Sequence, residues 1–538
     1  MRQGLFFSKC DGLLSQTLDI DQLAKEYGHL ASVRVFEGFY NLADFDALLA
    51  EVEAKQLDSL VLAGDSPLSY RQARNGDQLL RSLAQRGIDP SRVEPVNLRN
   101  MVVRPHKASR AALQQKAKLM VDVGLEKARV AESVATLEIP PRQAVAVVGT
   151  GTGSIVVAQH LLDEGHKVYL VQEAYGIDIP ADEKGHVRAT LAYVVHHPRF
   201  AVYDGAAILD FYGYPGDYTL TVRAHEKEMR LQIGAVVLAT SRASRELLKR
   251  LHEVFHIDLD EQGGLAPRDD VSARALTQDD GVFVIHPETT ETPSLAGEML
   301  AADSAAAMTI NLLSKKEIYH RVAVSLVREE LCGGCGACVK TCMFHAVSLQ
   351  GNPGISVIDP RRCRGCGNCV TACPAGARDL AVCPTSYLFT AVDILSRFQL
   401  AGPGGKVLAI ACDGCGYRCL DHAAAEGASW PVGVLPLWVV CGGQIDTQLV
   451  MHAFVKGFDG VALLSCGEGC CHNLVGNVDL ERRTNLLREV LTSRGVDHSR
   501  VQILPTCSRY APECVTKLLE FCSKLEAKAT AGETALLG

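Results

Sequence analysis

Eight cysteines in two runs of identical spacing constrain this chain more than any other feature. The first run, "CGGCGACVKTC", holds Cys332, Cys335, Cys338 and Cys342; the second, "CRGCGNCVTACP", repeats the spacing at Cys363, Cys366, Cys369 and Cys373. Two-residue spacers let three successive thiolates wrap one small iron–sulfur cube. Glycine in the spacers permits the tight backbone and leaves amide N–H groups free to face the cluster sulfurs. In the bacterial double-cluster arrangement the fourth cysteine of each run ligates the other cluster. Cys332, Cys335, Cys338 and Cys373 are therefore assigned to one [4Fe-4S] cluster, and Cys363, Cys366, Cys369 and Cys342 to a second. Zinc fits less well, because its CxxC knuckles pair across longer gaps. Cys342 is followed by Met343, where proline is usual, whereas Cys373 is followed by Pro374. Proline is no ligand, so little is lost. Clusters this close pass single electrons, and electron transfer is the expected function.

The rest of the composition narrows the setting. Nineteen of the 20 cysteines lie between residues 332 and 522, which in a reducing compartment points to metal binding rather than disulfides. A length of 538 residues suggests three or four domains, and 47% hydrophobic with 22% charged residues is ordinary for a globular chain. A net charge of -8 gives no reason to expect nucleic acid. No apolar run approaches a membrane span, and the N-terminus lacks a signal-peptide pattern. The expectation is a cytoplasmic protein that meets a membrane only through a partner, on its cytoplasmic face.

The order of strand and helix signals predicts an α/β multidomain chain. Residues 1–105 read as an N-terminal α/β domain and 106–141 as a helical linker. Residues 142–319 read as a Rossmann-like domain. Residues 320–390 form a bacterial 2[4Fe-4S] ferredoxin module. Residues 400–526 read as a C-terminal doubly wound α/β iron–sulfur domain, and 527–538 as a tail. In the C-terminal domain four predicted strands run into Cys412, Cys441, Cys466 and Cys507. Ligand sites of such sheets lie at the carboxyl ends of the strands, so the pattern gathers thiols along one edge. Cys383, Cys514 and Cys522 fit better as small buried hydrophobes.

In the Rossmann-like region "VVGTGTGS" sets Gly149, Gly151, Gly153 and Ser154 between a strand and a helix. Such a turn brings backbone amides to a pyrophosphate at the helix N-terminus. The next strand ends "VYLVQEA", placing Gln172, with Glu173 beside it, where an acid would meet a ribose. His196 and His197, in "VVHHPRF", are read as opposite-facing strand residues rather than metal ligands.

Two stretches resemble known families. "ACDGCGY", "VVCGGQID", "AFVKGFDGVALLSCGEGCCHN", "GN" at 476–477 and "ERR" at 481–483 resemble the delta subunit of methyl-viologen-reducing hydrogenase. That resemblance implies one further cluster, a [2Fe-2S] centre, with Cys412, Cys415, Cys441, Cys466 and Cys471 as matching ligands. This is one more than four-coordination needs, so the nuclearity stays open, with Cys419, Cys470, Cys507 and Cys514 outside the family pattern. His472 matches the family and is expected beside the cluster rather than on it.

From residue 1 to about 385 the order of parts resembles the A subunit of heterodisulfide reductase, whose flavin domain implies that 142–319 is a degenerate FAD-binding-like domain, with FAD at Gly149, Gly151 and the residues around Gln172. The fused arrangement is similar to the B subunit of quinone-interacting membrane-bound oxidoreductase. The chain departs from the flavin pattern at Ser241 and at His286, each standing where glycine is usual. The resemblance implies an electron-transfer subunit of a multi-subunit complex. Its partners would resemble heterodisulfide reductase B and C, a hydrogenase or formate dehydrogenase, or quinone-linked subunits. A self-contained flavin-dependent NAD(P)H:ferredoxin oxidoreductase needs a second dinucleotide fingerprint, and only one is present. A flavin-free relay is the other alternative.

Overall fold

The computed structural model describes the chain except residues 40, 68–75, 135, 174, 178, 180, 241–242, 256, 258, 260–263, 266–274, 278, 286–293, 322–323, 353, 403, 468–470, 507–510 and 531–538. Ser241, His286, Cys470 and Cys507 lie outside the described residues. The rest divides into two units: residues 1–134, 323–358 and 363–538, and residues 135–322 with 359–362.

Two parallel four-stranded sheets frame the first unit. In one the spatial order is Ser32–Phe36, Gln3–Ser8, Ser59–Gly64, Val93–Asn97. In the other it is Val434–Val439, Val407–Cys412, Gly460–Cys466, Val501–Thr506. The two sheets thus share one strand order, and each first strand runs into a Cys-Asp-Gly triplet, at Cys10 and at Cys412. Their central strands, such as "SLVLAG" and "GVALLSC", are buried along their whole length. Parallel sheets covered on both faces require such continuous apolar runs.

The ferredoxin module belongs to the same unit. It consists of two antiparallel pairs, Ser325–Val327 with Arg378–Leu380 and Val347–Gln350 with Ile355–Ile358. Short helices Ala337–Thr341 and Asn368–Thr371 accompany them.

The segment expected as a linker is instead a core helix, Arg110–Val130. Ser109 caps it, accepting the Ala112 N–H. Its Leu113, Ala117, Val121 and Gly124 are buried, and a Cβ at Gly124 would come within 2.3 Å of Val96. Helix Thr385–Ser396 packs along it. Small apolar residues among charges resemble a linker in sequence, but here they are what allow close helix–sheet approach.

Polar contacts tie the two sheets together. The buried Asp421 carboxylate accepts hydrogen bonds from Asn97 (2.6 Å), Asn100 (2.9 Å) and Ser66 (2.5 Å). Lys116 is fully buried; its Nζ lies 2.6 Å from both His106 Nε2 and the Val434 carbonyl. His106 Nδ1 lies 2.9 Å from the Trp430 carbonyl. Burial pushes the lysine well below its ordinary value, and burial also lowers His106. A neutral amine donating to His106 and Val434 satisfies this geometry.

The second unit holds a parallel sheet in the order Val282–Ile285, Ala235–Ala239, Ala144–Gly149, Lys167–Val171, Phe200–Tyr203. An antiparallel meander, Ala207–Tyr214, Asp217–Ala224 and Lys227–Ile233, accompanies it. This is the expected Rossmann-like architecture. His196 does not lie on a strand: it ends helix Lys184–His196, and His197 follows. Valine-rich "AYVVHH" invites the strand assignment, but tertiary packing overrides that weak local preference. Among the described residues no helix is long and apolar enough to cross a membrane.

Lys116→Met should cost roughly 1–3 kcal/mol by stranding its acceptors. The folded chain binds fewer protons at Lys116 than the unfolded one, so wild-type stability should rise with pH up to the ordinary lysine value, 10.5. In Lys116→Met that alkaline gain should vanish, as read from urea midpoints between neutral pH and about pH 10.

Candidate iron–sulfur centres

Cys332, Cys335, Cys338 and Cys373 line one small cavity, with Ser356, Leu349 and Arg378. This is the cross-paired set expected from the spacing: three cysteines of the first run and the last of the second. Gly334 holds φ +67°, and a Cβ there would come within 2.4 Å of the Gly354 carbonyl. The Ser356 amide lies 3.5 Å from Cys332 Sγ and the Ser356 hydroxyl 3.2 Å from Cys338 Sγ. Amides of Ser356 and Gly334 pull the Cys332 thiol below its ordinary value.

The donor set fits a [4Fe-4S] cluster on a second ground. Arg378 is 3% exposed, and its Nε, Nη1 and Nη2 all lack hydrogen-bond partners among the described residues. A guanidinium does not deprotonate in proteins, and a buried one without a counter-charge is strongly unfavourable. An anionic cluster held by four thiolates supplies that counter-charge.

Cys363, Cys366 and Cys369 form the second set, close enough to Cys342 for its charge to raise both Cys363 and Cys366. Burial is the largest cause pushing these two thiols up, opposed by amides of Ser325 and Gly365 at Cys363 and of Asn368 at Cys366. Cys369 Sγ lies 3.3 Å from the Ser325 hydroxyl. Amides aimed at sulfur are the donors a cluster uses.

The third set gathers at the carboxyl ends of the C-terminal strands. Cys412 Sγ and Cys466 Sγ are 3.8 Å apart. Cys415 Sγ is 3.5 Å from His472 Nε2, and the ligand atoms of Cys415, Cys466 and His472 all lie within 4.8 Å of one another. Cys471 accepts from the thiols of Cys441 and Cys466, which holds it well below the ordinary thiol range; Cys441 is raised in turn by Cys471, and Cys466 by Cys412 first, then by Cys415 and Cys471. All five expected cysteines therefore converge. His472 is in ligand range, where the sequence suggests only a neighbouring role. One π-helical turn, Asp413–Tyr417, carries Cys415 round to the site.

Close approach explains the "GN" and "ERR" stretches. A Cβ on Gly476 would sit 2.3 Å from Cys441 Sγ and 3.4 Å from Cys471 Sγ. Asn477 Nδ2 donates to the Gly467 carbonyl (2.6 Å), fixing the chain just after Cys466. Arg483 Nη2 reaches the carbonyls of Gly442 and Gly443, at 3.4 and 3.1 Å, and fixes the loop after Cys441.

That loop also meets the second set. Thr371 Oγ1 donates to the Gly443 carbonyl at 3.0 Å, and a Cβ on Gly443 would lie 2.0 Å from Asn368 Oδ1 and 3.3 Å from the Cys366 carbonyl. A Cβ on Gly367 would in turn lie 2.8 Å from the Gln444 side chain. The ligand loops of Cys366 and Cys441 are therefore in van der Waals contact. No motif singles out Ser325, Ser356 or Arg378. Only the arginine leaves a signal in the sequence, as a cation that follows the small residues "AGA" and enters a short buried strand.

In the second unit, Gly149 and Gly151 adopt φ +118° and +105°, the turn expected before helix Thr152–Asp163. A Cβ at Gly149 would collide with the Ala239 carbonyl. Ser154 Oγ donates to the Gly151 carbonyl (2.7 Å), so it stabilises the turn. The anion position at the helix N-terminus is taken by the chain itself. The Gly153 N–H donates to Glu298 Oε1 at 2.8 Å, and Thr152 Oγ1 donates to Glu183 Oε2. Both acids are buried. Gln172 is buried with its amide on Asp204, whereas Glu173 is exposed. The turn fits a dinucleotide, but a pyrophosphate using the Gly153 amide must displace Glu298.

Fold and thiol sets define an iron–sulfur electron-transfer protein. Residues 331–377 match the 4Fe-4S dicluster domain, and residues 407–527 match the methyl-viologen-reducing hydrogenase delta subunit. The iron-sulfur D subunit of F420-non-reducing hydrogenase from Archaeoglobus profundus is 34% identical over 98 residues, 18% of this chain and 72% of that protein. The A subunit of ferredoxin:CoB-CoM heterodisulfide reductase from Methanosarcina mazei is 30% identical over 221 residues, 41% of this chain and 27% of that protein. Through its C-terminal domain the chain belongs to the hydrogenase delta-subunit family, joined here to a part related to the heterodisulfide reductase A subunit. It spans only about a quarter of the length of that reductase relative.

Gly476→Ala should lose the iron of the third centre while keeping the roughly eight irons of two [4Fe-4S] clusters, as counted by iron and sulfide analysis of anaerobically isolated protein. Glu298→Gln removes a buried charge from the anion position. It should raise acid-released flavin per chain at least severalfold over wild type under identical FAD loading.

Proposed function

We propose that the chain is an electron-transfer subunit in which three iron–sulfur centres stand in series. The first is held by Cys332, Cys335, Cys338 and Cys373, and the second by Cys363, Cys366, Cys369 and Cys342. The third lies within the set Cys412, Cys415, Cys441, Cys466, Cys471. When bound, such clusters supply one-electron carriers. Contact between the Cys366 and Cys441 ligand loops, through Gly443, carries this reading. Tunnelling falls steeply with distance, so loops in contact make the second and third centres electronic neighbours.

The two ends of the series have different access. Cys335 is exposed, and Leu349, which lines the first cavity, is exposed as well. A partner protein would reach the series there. All five cysteines of the third set are buried, so exchange at that end passes through the surrounding loops. The partners we propose are redox subunits of heterodisulfide reductase-like and hydrogenase-like complexes, in line with the named relatives. A [2Fe-2S] cluster at the third set would use four of its five thiols, with His472 adjacent to Cys415. FAD in the second unit is a further component of the proposal, opposed by Glu298, and no electron step is assigned to it.

Fully reduced wild-type protein should show magnetic coupling between the second and third centres in its electron paramagnetic resonance spectrum. Gly443→Val should weaken that coupling and slow electron arrival at the ferredoxin centres at least tenfold in rapid-mixing reduction through the third centre. Uncoupled spectra in wild type would rule out the series.

A further inference from the structure

The two ferredoxin centres are not electrostatically equivalent. Arg378 lines the cavity of Cys332, Cys335, Cys338 and Cys373. Its strand neighbour Asp379 is engaged elsewhere: its Oδ1 accepts from the Leu380 amide and from the Thr385 amide and hydroxyl, and Arg328 sits 3.5 Å from its Oδ2. Successive residues of a strand face opposite ways, so Asp379 does not answer the Arg378 charge. All three guanidinium nitrogens stay without a partner among the described residues, in a side chain 3% exposed. Among the described residues no other guanidinium has all three nitrogens buried and unpartnered.

We propose that Arg378 is the charge that sets the reduction potential of the first centre above that of the second. The proposal rests on the cluster assignment given above and adds a direction to it. Reduction adds one electron to the cluster and no bond changes. A fixed cation in a low-dielectric wall favours the form carrying the extra negative charge. Electrons arriving through the second centre therefore come to rest on the first, beside exposed Cys335. Arg378 is a positioning charge for the cluster and not a ligand.

The test is a redox titration of the full chain followed by electron paramagnetic resonance. The two centres are assigned by Cys373→Ser and Cys342→Ser. In wild type the first centre should be reduced before the second, with at least a tenfold difference in reduced-to-oxidised ratio at a common potential, equal to about 59 mV for one electron. Arg378→Met, similar in length and uncharged, should lower that ratio for the first centre at least tenfold and leave the second nearly unchanged. Arg378→Lys should restore most of it. An unchanged first centre in Arg378→Met with its iron retained would overturn the proposal, as would an equal shift of both centres. Should Arg378→Met fail to hold iron, the wild-type order decides, and a second centre reduced first overturns the proposal. Absence of both [4Fe-4S] signals from wild type would instead remove the cluster assignment itself, so the two failures are distinguishable.

Discussion

The arrangement of the first unit depends on two ligand loops being allowed to touch. Gly367 and Gly443 sit where any side chain would strike the opposite loop. Gly476 makes the same allowance beneath Cys441 and Cys471. Cores tolerate a missing methyl group at modest cost, but an extra one among close-packed atoms forces the backbone apart. At these positions the backbone carries the cysteines of the proposed centres, so displacement would alter the spacing of the thiol sets before it changed the fold.

The same unit contains a second sheet that uses the identical strand order without the chemistry. Its first strand also runs into Cys-Asp-Gly, yet Cys10 is the one cysteine in the first 331 residues of the sequence. Asp65 follows the strand that corresponds to the one ending in Cys466. Burial and the neighbouring Asp65 push the Cys10 thiol up, the reverse of what metal ligation needs. Asn97, Asn100 and Ser66 at that sheet's carboxyl edge instead hold Asp421 of the C-terminal domain. One topology thus gathers ligands at one edge and supplies a docking surface at the other.

Charge placement separates the sites as clearly as thiol placement does. A buried cation with no protein partner among the described residues faces the first cluster cavity, whereas buried carboxylates stand at the glycine turn of the second unit. An isolated buried charge is tolerated only beside its opposite. The first observation therefore favours an anionic cluster, and the second works against an anionic pyrophosphate. Both observations come from side chains that no motif includes.

The amino-acid sequence by itself determined which cysteines are candidate ligands, the doubly wound C-terminal sheet and the glycine turn at 149–151. Each of these is written in spacing and periodicity over a few residues, where chain geometry leaves little choice. The helix Arg110–Val130 has the composition of a linker, but it is part of the core because its small residues fit against a sheet. His196 lies on a helix rather than a strand for a related reason, since local preference yields to packing. Only the tertiary structure decided which ferredoxin centre adjoins the third, that Arg378 faces the first, and that Glu298 reaches Gly153. Those contacts join residues up to 145 positions apart, and their distances are fixed by how the sheets and helices pack.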